Sequence, residues 1–528
     1  KFCNIDIVIP QTLIITTECF EDFIKENNLK HLSQSDLDNE VITHLFVKGR
    51  FPRTFRNQLR IYLEHVKYPI AVRSSSLLED AKYRAYAGLY NTYMLSNDSN
   101  DLDERLEHLL NAIKMVFAST YYREPKTFSR RVGNRVEEER MAVIVQRIAG
   151  DRYSDFFYPT ISGVAQSYNF YPFSRVKPED GVATIAVGMG KAVTEGEKCL
   201  RFSPGAPLIL PQFSTVDDIL KNSQRMFYAL RMNNPDKQPH PEISLTLTKR
   251  DIFDGRNEYG VQIVSSSYDQ QEHRIRDSFT SKGIPVITFS SILKYGSVPL
   301  AEILADLLSA GQKGMGGPVE IEFSMAIPQD TGQKPLISIL QIRPMGSQEE
   351  TMVVDIDTND IDSLFCLSHN ALGNSLNHQI HDIIYVKPDV FEPSRTVEIA
   401  AEISHLNGII NDEGRKYLLI GPGRWGSADR WLGIPVSWGD ICGVAGIVET
   451  YHGKINAEPS QGSHFFHNIT SLGIHYLTIL SSKNDFLDWQ WLKSLSLENE
   501  TRHLGHVRRD TPFILRVDGR NSVGALYK

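Results

Sequence analysis

Apolar residues recur along the chain with two periods, and the switches between them outline its elements. Residues 1–27, KFCNIDIVIPQTLIITTECFEDFIKEN, read as strand, loop, strand and amphipathic helix. Pro69 to Val72 is a short apolar run that predicts a strand, with Arg73, Ser74, Ser75 and Ser76 as the turn at its end. Leu106, Leu109, Leu110, Ile113, Met115, Val116 and Phe117 fall at helical spacing and predict one long helix over 102–122. MAVIVQRI, 141–148, opens on an apolar run of the kind a buried strand carries. A helix is expected from Ser214 to Met232, then an exposed polar loop, NNPDKQPHPE. EYGVQIVSSSY, 258–268, alternates like a strand, and AEILADLLSAG, 301–311, reads as a helix capped by its final glycine. VEIEFSMAIPQ, 319–329, and ISILQIRPM, 337–345, are two alternating strands joined by a polar, Gly-containing turn. Further on, YLLIGPGRWGSADRWLGIPVSW, 417–438, opens as a buried strand and IHYLTIL, 474–480, is another.

At 528 residues the chain has length for about three to four domains. With 41% hydrophobic and 23% charged residues, its composition is that of an ordinary globular protein. The net charge of −8 gives no electrostatic footprint for nucleic acid or an anionic membrane, so any phosphate site must be local. Cys3, Cys19, Cys199, Cys366 and Cys442 are scattered and never spaced C-x-x-C, which argues against a disulfide framework or a zinc cluster and fits a reducing cytoplasm. No run of 18 apolar residues exists, so no membrane span is expected, and the opening stretch lacks the plan of a signal peptide. Because the first residue is Lys, the chain as given is expected to begin inside a longer protein.

Two stretches carry candidate chemistry. In PIAVRSSSLLEDAKYRAYAGLYNTYML, 69–95, a guanidinium stands beside hydroxyls at the end of a strand, a place and a donor set suited to phosphate. Glu79 and Asp80 would repel a naked phosphate, which points either to a metal-chelated one or to carboxylates that orient the arginine. The same residues also suit a surface arginine at a Ser-rich helix cap. In the hairpin, Glu320 and Glu322 lie two apart, as do Gln341 and Arg343, so all four can share one face. A carboxylate and an amide oxygen are hard ligands for Mg2+, which completes its shell with phosphate oxygens and water. A solvated face carrying ion pairs is the alternative.

The block AVRSSSLLED with AYAGLYNTYML resembles the nucleotide-binding domain of phosphoenolpyruvate synthase and pyruvate phosphate dikinase. Tyr86, Ala87 and Gly88 stand where that family has a Phe-Ala-Gly loop over the nucleotide phosphates. MAVIVQ is similar to its Val-x-Val-Gln strand along the adenine pocket, with Gln146 as the residue carried over. Ser162-Gly163-Val164-Ala165 and VGMGKAVTEG, 187–196, match two further blocks, except that Lys191 replaces a glutamate whose role is not transferred. The hairpin resembles the family's closing strands, in which Glu and Gln hold magnesium and Arg meets phosphate. By position these are Glu322, Gln341 and Arg343. An arginine reaches the phosphates from the region of Arg123 and Arg130. A Gly-Gly-Lys segment that contacts ATP would fall before Lys1.

The resemblance therefore implies an α+β, ATP-grasp domain of two lobes over residues 1–345, followed by a smaller α/β module over 346–528. The nucleotide-contacting set it implies is Arg73, Ser74, Ser75, Glu79, Gly88, Arg123, Gln146, Glu322, Gln341 and Arg343. The implied chemistry is phosphoryl transfer from ATP and Mg2+, with Arg73 and Arg343 neutralising developing charge. In relatives the acceptor is a histidine in a Thr/Ser-His-Ala-Ala context, followed by a phosphoenolpyruvate-binding barrel. Neither appears in residues 346–528, so the acceptor is open, a protein or a domain elsewhere in the full-length chain. An ATP- or anion-sensing protein without turnover and an assembly module with a structural nucleotide are the competing readings. In the tail, Gly421, Gly423, Arg424, Gly426 and Ser427 form a candidate anion-binding loop. His464 and His467, with Glu458, would be a metal set only if helical, and the flanking Phe465 and Phe466 favour a strand or core edge.

Overall fold

The computed structural model describes residues 2–76, 79, 88–132, 136–233, 247–280, 283–330, 332–345, 354, 356, 361–451, 463–480, 484–519 and 521–528. They divide into two compact units. The first holds the described residues up to Pro344 apart from Glu195–Glu197, and the second holds that tripeptide and the residues from Met345 onward.

In the first unit, a four-stranded antiparallel sheet runs in the order Thr12–Ile15, Ala142–Arg147, Ile70–Ser75, Tyr93–Leu95. The helix Leu102–Ser119 packs against it. Asp101 caps that helix by accepting the Asp103 N–H, and the apolar stripe Leu106, Leu109, Leu110, Ile113, Val116 and Phe117 is fully buried. Phe117 meets Phe20 edge-on at 5.1 Å, which ties the N-terminal helix Thr17–Glu26 to the same core. The second, six-stranded sheet has the order Asp6–Val8, Leu336–Pro344, Val319–Ala326, Ile161–Gln166, Val182–Ala186, Leu200–Phe202. The helix Leu300–Met315 covers it, burying Leu300, Ile303, Leu304 and Leu308 with Val319, Ile321 and Phe323.

Four expectations change. Arg73, Ser74 and Ser75 continue the strand rather than forming a turn, because Ile144, Val143 and Ala142 extend the ladder opposite them. Met226–Arg231 is a strand, not the end of a helix; Phe227 to Leu230 are all buried between Leu247–Asp251 and Phe156–Tyr158, and a short apolar run does not reveal its period. Tyr259–Gln262 is a helical turn before the strand Ser265–Asp269. Gly311 lies inside its helix, against Ile342 and Val319, while the left-handed cap is Gly316 at φ +72°. Most of the polar loop expected at 233–242 lies outside the described residues.

In the second unit, Ser375–Val386, Tyr417–Pro422, Val444–Thr450 and His475–Thr478 are parallel neighbours, extended antiparallel by Leu504–Asp518, Val523–Tyr527 and Leu364–Ser368. The helix Thr396–Asp412 joins the first two parallel strands. None of the five cysteines forms a disulfide, and four of them are buried. Among the described residues no helix is long and apolar enough to cross a membrane.

Glu449, near the end of Val444–Thr450, is 3% exposed and accepts the Trp425 N–H at 3.2 Å. Burial pushes its carboxyl up to about 7, only partly offset by the Tyr476 hydroxyl, that N–H and the Arg424 charge. Between its ordinary value of 4.5 and about 7, the native chain holds a proton that the unfolded chain releases. Stability from this group is thus complete below the lower value and lost as pH rises through the upper one. Glu449→Gln is expected to flatten the fall in denaturation midpoint between these pH values, worth roughly 3 kcal/mol at 1.36 kcal/mol per unit. An unchanged pH profile in the variant would assign that fall to other groups.

Candidate functional site

The site is built on the antiparallel pair Val319–Ala326 and Leu336–Pro344. Glu320 stands opposite Arg343 and Glu322 opposite Gln341, with a bulge just after Glu322. Ile321, Phe323 and Met325 are buried, so their alternation fixes which face carries the acids. On that face Glu320 is 1% exposed, and one of its oxygens accepts from both Nε and Nη2 of Arg343, at 2.7 and 2.5 Å. Its other oxygen accepts from Nε2 of Gln166, directly opposite on Ile161–Gln166. Arg343 Nη2 also reaches Glu322 Oε1 at 3.3 Å. Burial alone would lower the pKa of Arg343, but the Glu320 and Glu322 charges, with Glu79 adding to them, raise it instead. Arg343 therefore stays a cation in a dry setting.

Arg73 comes from the other sheet. Its Nη2 donates to Gln341 Oε1 at 2.7 Å and to Glu322 Oε2 at 3.2 Å. Arg73, Glu322, Gln341 and Arg343, expected separately at 69–95 and in the hairpin, thus form one connected cluster. Ser74 donates to Glu79 at 2.7 Å, and the Glu79 N–H reaches Ser76 Oγ. Ser75 pairs with Ala142 in the ladder. Gly88 is exposed, with φ +70°, a left-handed conformation that favours glycine. Tyr86 and Ala87 lie outside the described residues.

Other expected members are less closely joined. Gln146 is buried; its Nε2 donates weakly to Thr12 Oγ1 across the ladder, at 3.4 Å. Arg123 begins the helix Arg123–Val132, is exposed and offers its backbone N–H to Asn39, and among the described residues it makes no hydrogen bond or ion pair with the cluster. The Arg130 side chain lies outside the described residues. Two contributions were not foreseen: Glu320 as the fixed partner of Arg343, and Gln166 as the partner of Glu320. The hairpin pattern put Glu320 on the right face, but it could not say which acid the arginine would choose. Lys191 and Lys249 both lie over the Tyr228 ring, 5.3 and 5.2 Å from its centre.

The expected anion loop of the second unit is packed instead. Trp425 and Ser427 are buried, and Arg424–Trp425 bridges to Gly433–Ile434. Arg424 Nη1 and Ser427 Oγ both donate to the Gly196 carbonyl, at 3.2 and 3.1 Å, so the guanidinium has a structural use. Gly426, at φ +71°, has no room for a Cβ beside the Phe465 ring. His464 and His467 do lie on a helix, His464–Ser471, rather than on a strand, because Ser463 caps it and its apolar face packs inward. Glu458 lies outside the described residues, and among those described no three His, Cys, Asp or Glu side chains converge as metal ligands would.

Comparison with known proteins adds two findings. Over 191 residues, 36% of this chain, the sequence is 26% identical to a Bacillus subtilis (strain 168) protein named uncharacterized phosphotransferase YvkC. That match spans only 20% of the relative's length. The family model of the pyruvate phosphate dikinase AMP/ATP-binding domain matches residues 2–362, more than half of the chain. The chain thus belongs to the pyruvate phosphate dikinase AMP/ATP-binding domain family, and residues 2–362 carry its α+β, ATP-binding region.

Proposed function

We propose that the chain transfers a phosphoryl group from ATP, with Mg2+, to an acceptor outside the described site, with the nucleotide phosphates held at the Arg73, Glu322, Gln341 and Arg343 cluster. The observation that carries this reading is the meeting of two guanidiniums with a carboxylate and an amide oxygen on two facing sheet elements. The donor set suits a hard divalent cation: Glu322 and Gln341 are side by side on one face, and a cationic nitrogen already lies between their oxygens. Once bound, such a metal would offset the charge on the phosphate oxygens. The chain's own residues do the rest. Arg343, locked by Glu320, presents a cation that needs no reorganisation as charge develops on the transferred group. Arg73 has Nε and Nη1 uncommitted among the described residues, so a second planar donor can meet phosphate from the opposite sheet. Gln146, on the strand beside Arg73, is assigned to the adenine side.

Incubation with γ-labelled ATP and Mg2+ tests this reading, with labelled phosphate or phosphoprotein as the expected product. Nucleotide bound without any product would favour the sensor reading instead.

Arg73→Lys is expected to bind ATP about as poorly as Arg73→Ala, roughly tenfold or more below the wild type, because charge-assisted contacts contribute about 1.5–3 kcal/mol and an ammonium cannot reproduce the fork. Calorimetry giving equal affinity for wild type and the lysine variant would contradict a planar role. Glu320→Ala should cost about 3–5 kcal/mol of stability, since it strands the buried Arg343 cation without its nearest partner. A denaturation midpoint close to wild type would show that the pair is not the anchor of the hairpin.

A further inference from the structure

The two arginines of the cluster are held very differently. Arg343, with its side chain 7% exposed, uses Nε and Nη2 against Glu320 and reaches Glu322 as well. Arg73, 20% exposed, commits a single nitrogen among the described residues, and that nitrogen sits between Glu322 Oε2 and Gln341 Oε1. These are the two oxygens assigned to the metal. A magnesium ion needs oxygens at about 2.1 Å and a near-octahedral shell. It cannot share both with a guanidinium nitrogen hydrogen-bonded to each, because the two cations would occupy the same gap and repel.

We propose that Arg73 is a built-in placeholder for the divalent cation, so that the metal gains Glu322 and Gln341 only after a nucleotide phosphate has drawn the guanidinium away. The inference rests on the metal assignment made above and adds an order of events to it. Phosphate is a natural competitor for Arg73, since a bidentate fork on phosphate uses two nitrogens where the protein now engages one. Arg343 cannot play this part, because leaving Glu320 would expose a buried carboxylate to an uncompensated setting. The device keeps the carboxylate paired before nucleotide arrives and favours entry of metal and nucleotide together.

Manganese, read by the paramagnetic signal of the free ion, is the probe. In the full chain without nucleotide, Arg73→Ala is expected to bind Mn2+ about tenfold or more tightly than the wild type. The gain should disappear in Arg73→Ala combined with Glu322→Gln. Arg73→Met, similar in length and uncharged, serves the same comparison should the alanine variant fail to fold. Equal Mn2+ affinity in the wild type and the Arg73 variants would overturn the placeholder. The metal assignment has its own arm: with ATP present, the water-relaxation enhancement of protein-bound Mn2+ should fall in Glu322→Gln. If it does not fall, the assignment of Glu322 is wrong, whatever Arg73 does.

Discussion

A buried ion pair governs the nucleotide-binding unit. Arg343 cannot give up its proton in a protein, so placing it at 7% exposure is tolerable only where a carboxylate meets it at close range. Glu320 provides that carboxylate, and Gln166 satisfies its second oxygen from the third strand. The three strands are then locked in register, because a slip of one residue would turn the acids into the hydrophobic side and Ile321 and Phe323 out of it. Glu322 and Gln341 inherit their positions from that lock, and Arg73 meets them from the other sheet.

The hairpin and its polar face were legible because strand alternation is a strong constraint when one side is buried. Which side chains would bond was not, since Glu320 and Glu322 are chemically alike and differ only in depth and in the bulge that follows Glu322. Arg73 stood out as a candidate phosphate donor, yet its place inside a strand depended on Ile144, more than seventy residues away. Met226–Arg231 shows the same limit from the other side: local apolar spacing is silent about a ladder supplied by distant segments. Arg424 looked like an anion ligand because glycines surrounded it; the carbonyl of Gly196, remote in sequence, takes its guanidinium.

The cluster contrasts a tightly held guanidinium, Arg343, with a loosely tied one, Arg73. A rigid cation suits stabilisation of charge during transfer, whereas a loosely tied one suits recognition of an arriving ligand. The two come from different sheets of one unit, so on the proposed reading a phosphate held between them would couple nucleotide binding to the spacing of those sheets.

The most direct test is a crystal structure of the chain with a non-hydrolysable ATP analogue and Mn2+, using the anomalous signal to locate the metal. The expected result is a peak within bonding distance of Glu322 and Gln341, with phosphate oxygens on Arg343 and on an Arg73 that has left both of those residues. A nucleotide bound with its phosphates away from this cluster, or a metal peak remote from Glu322, would contradict the account.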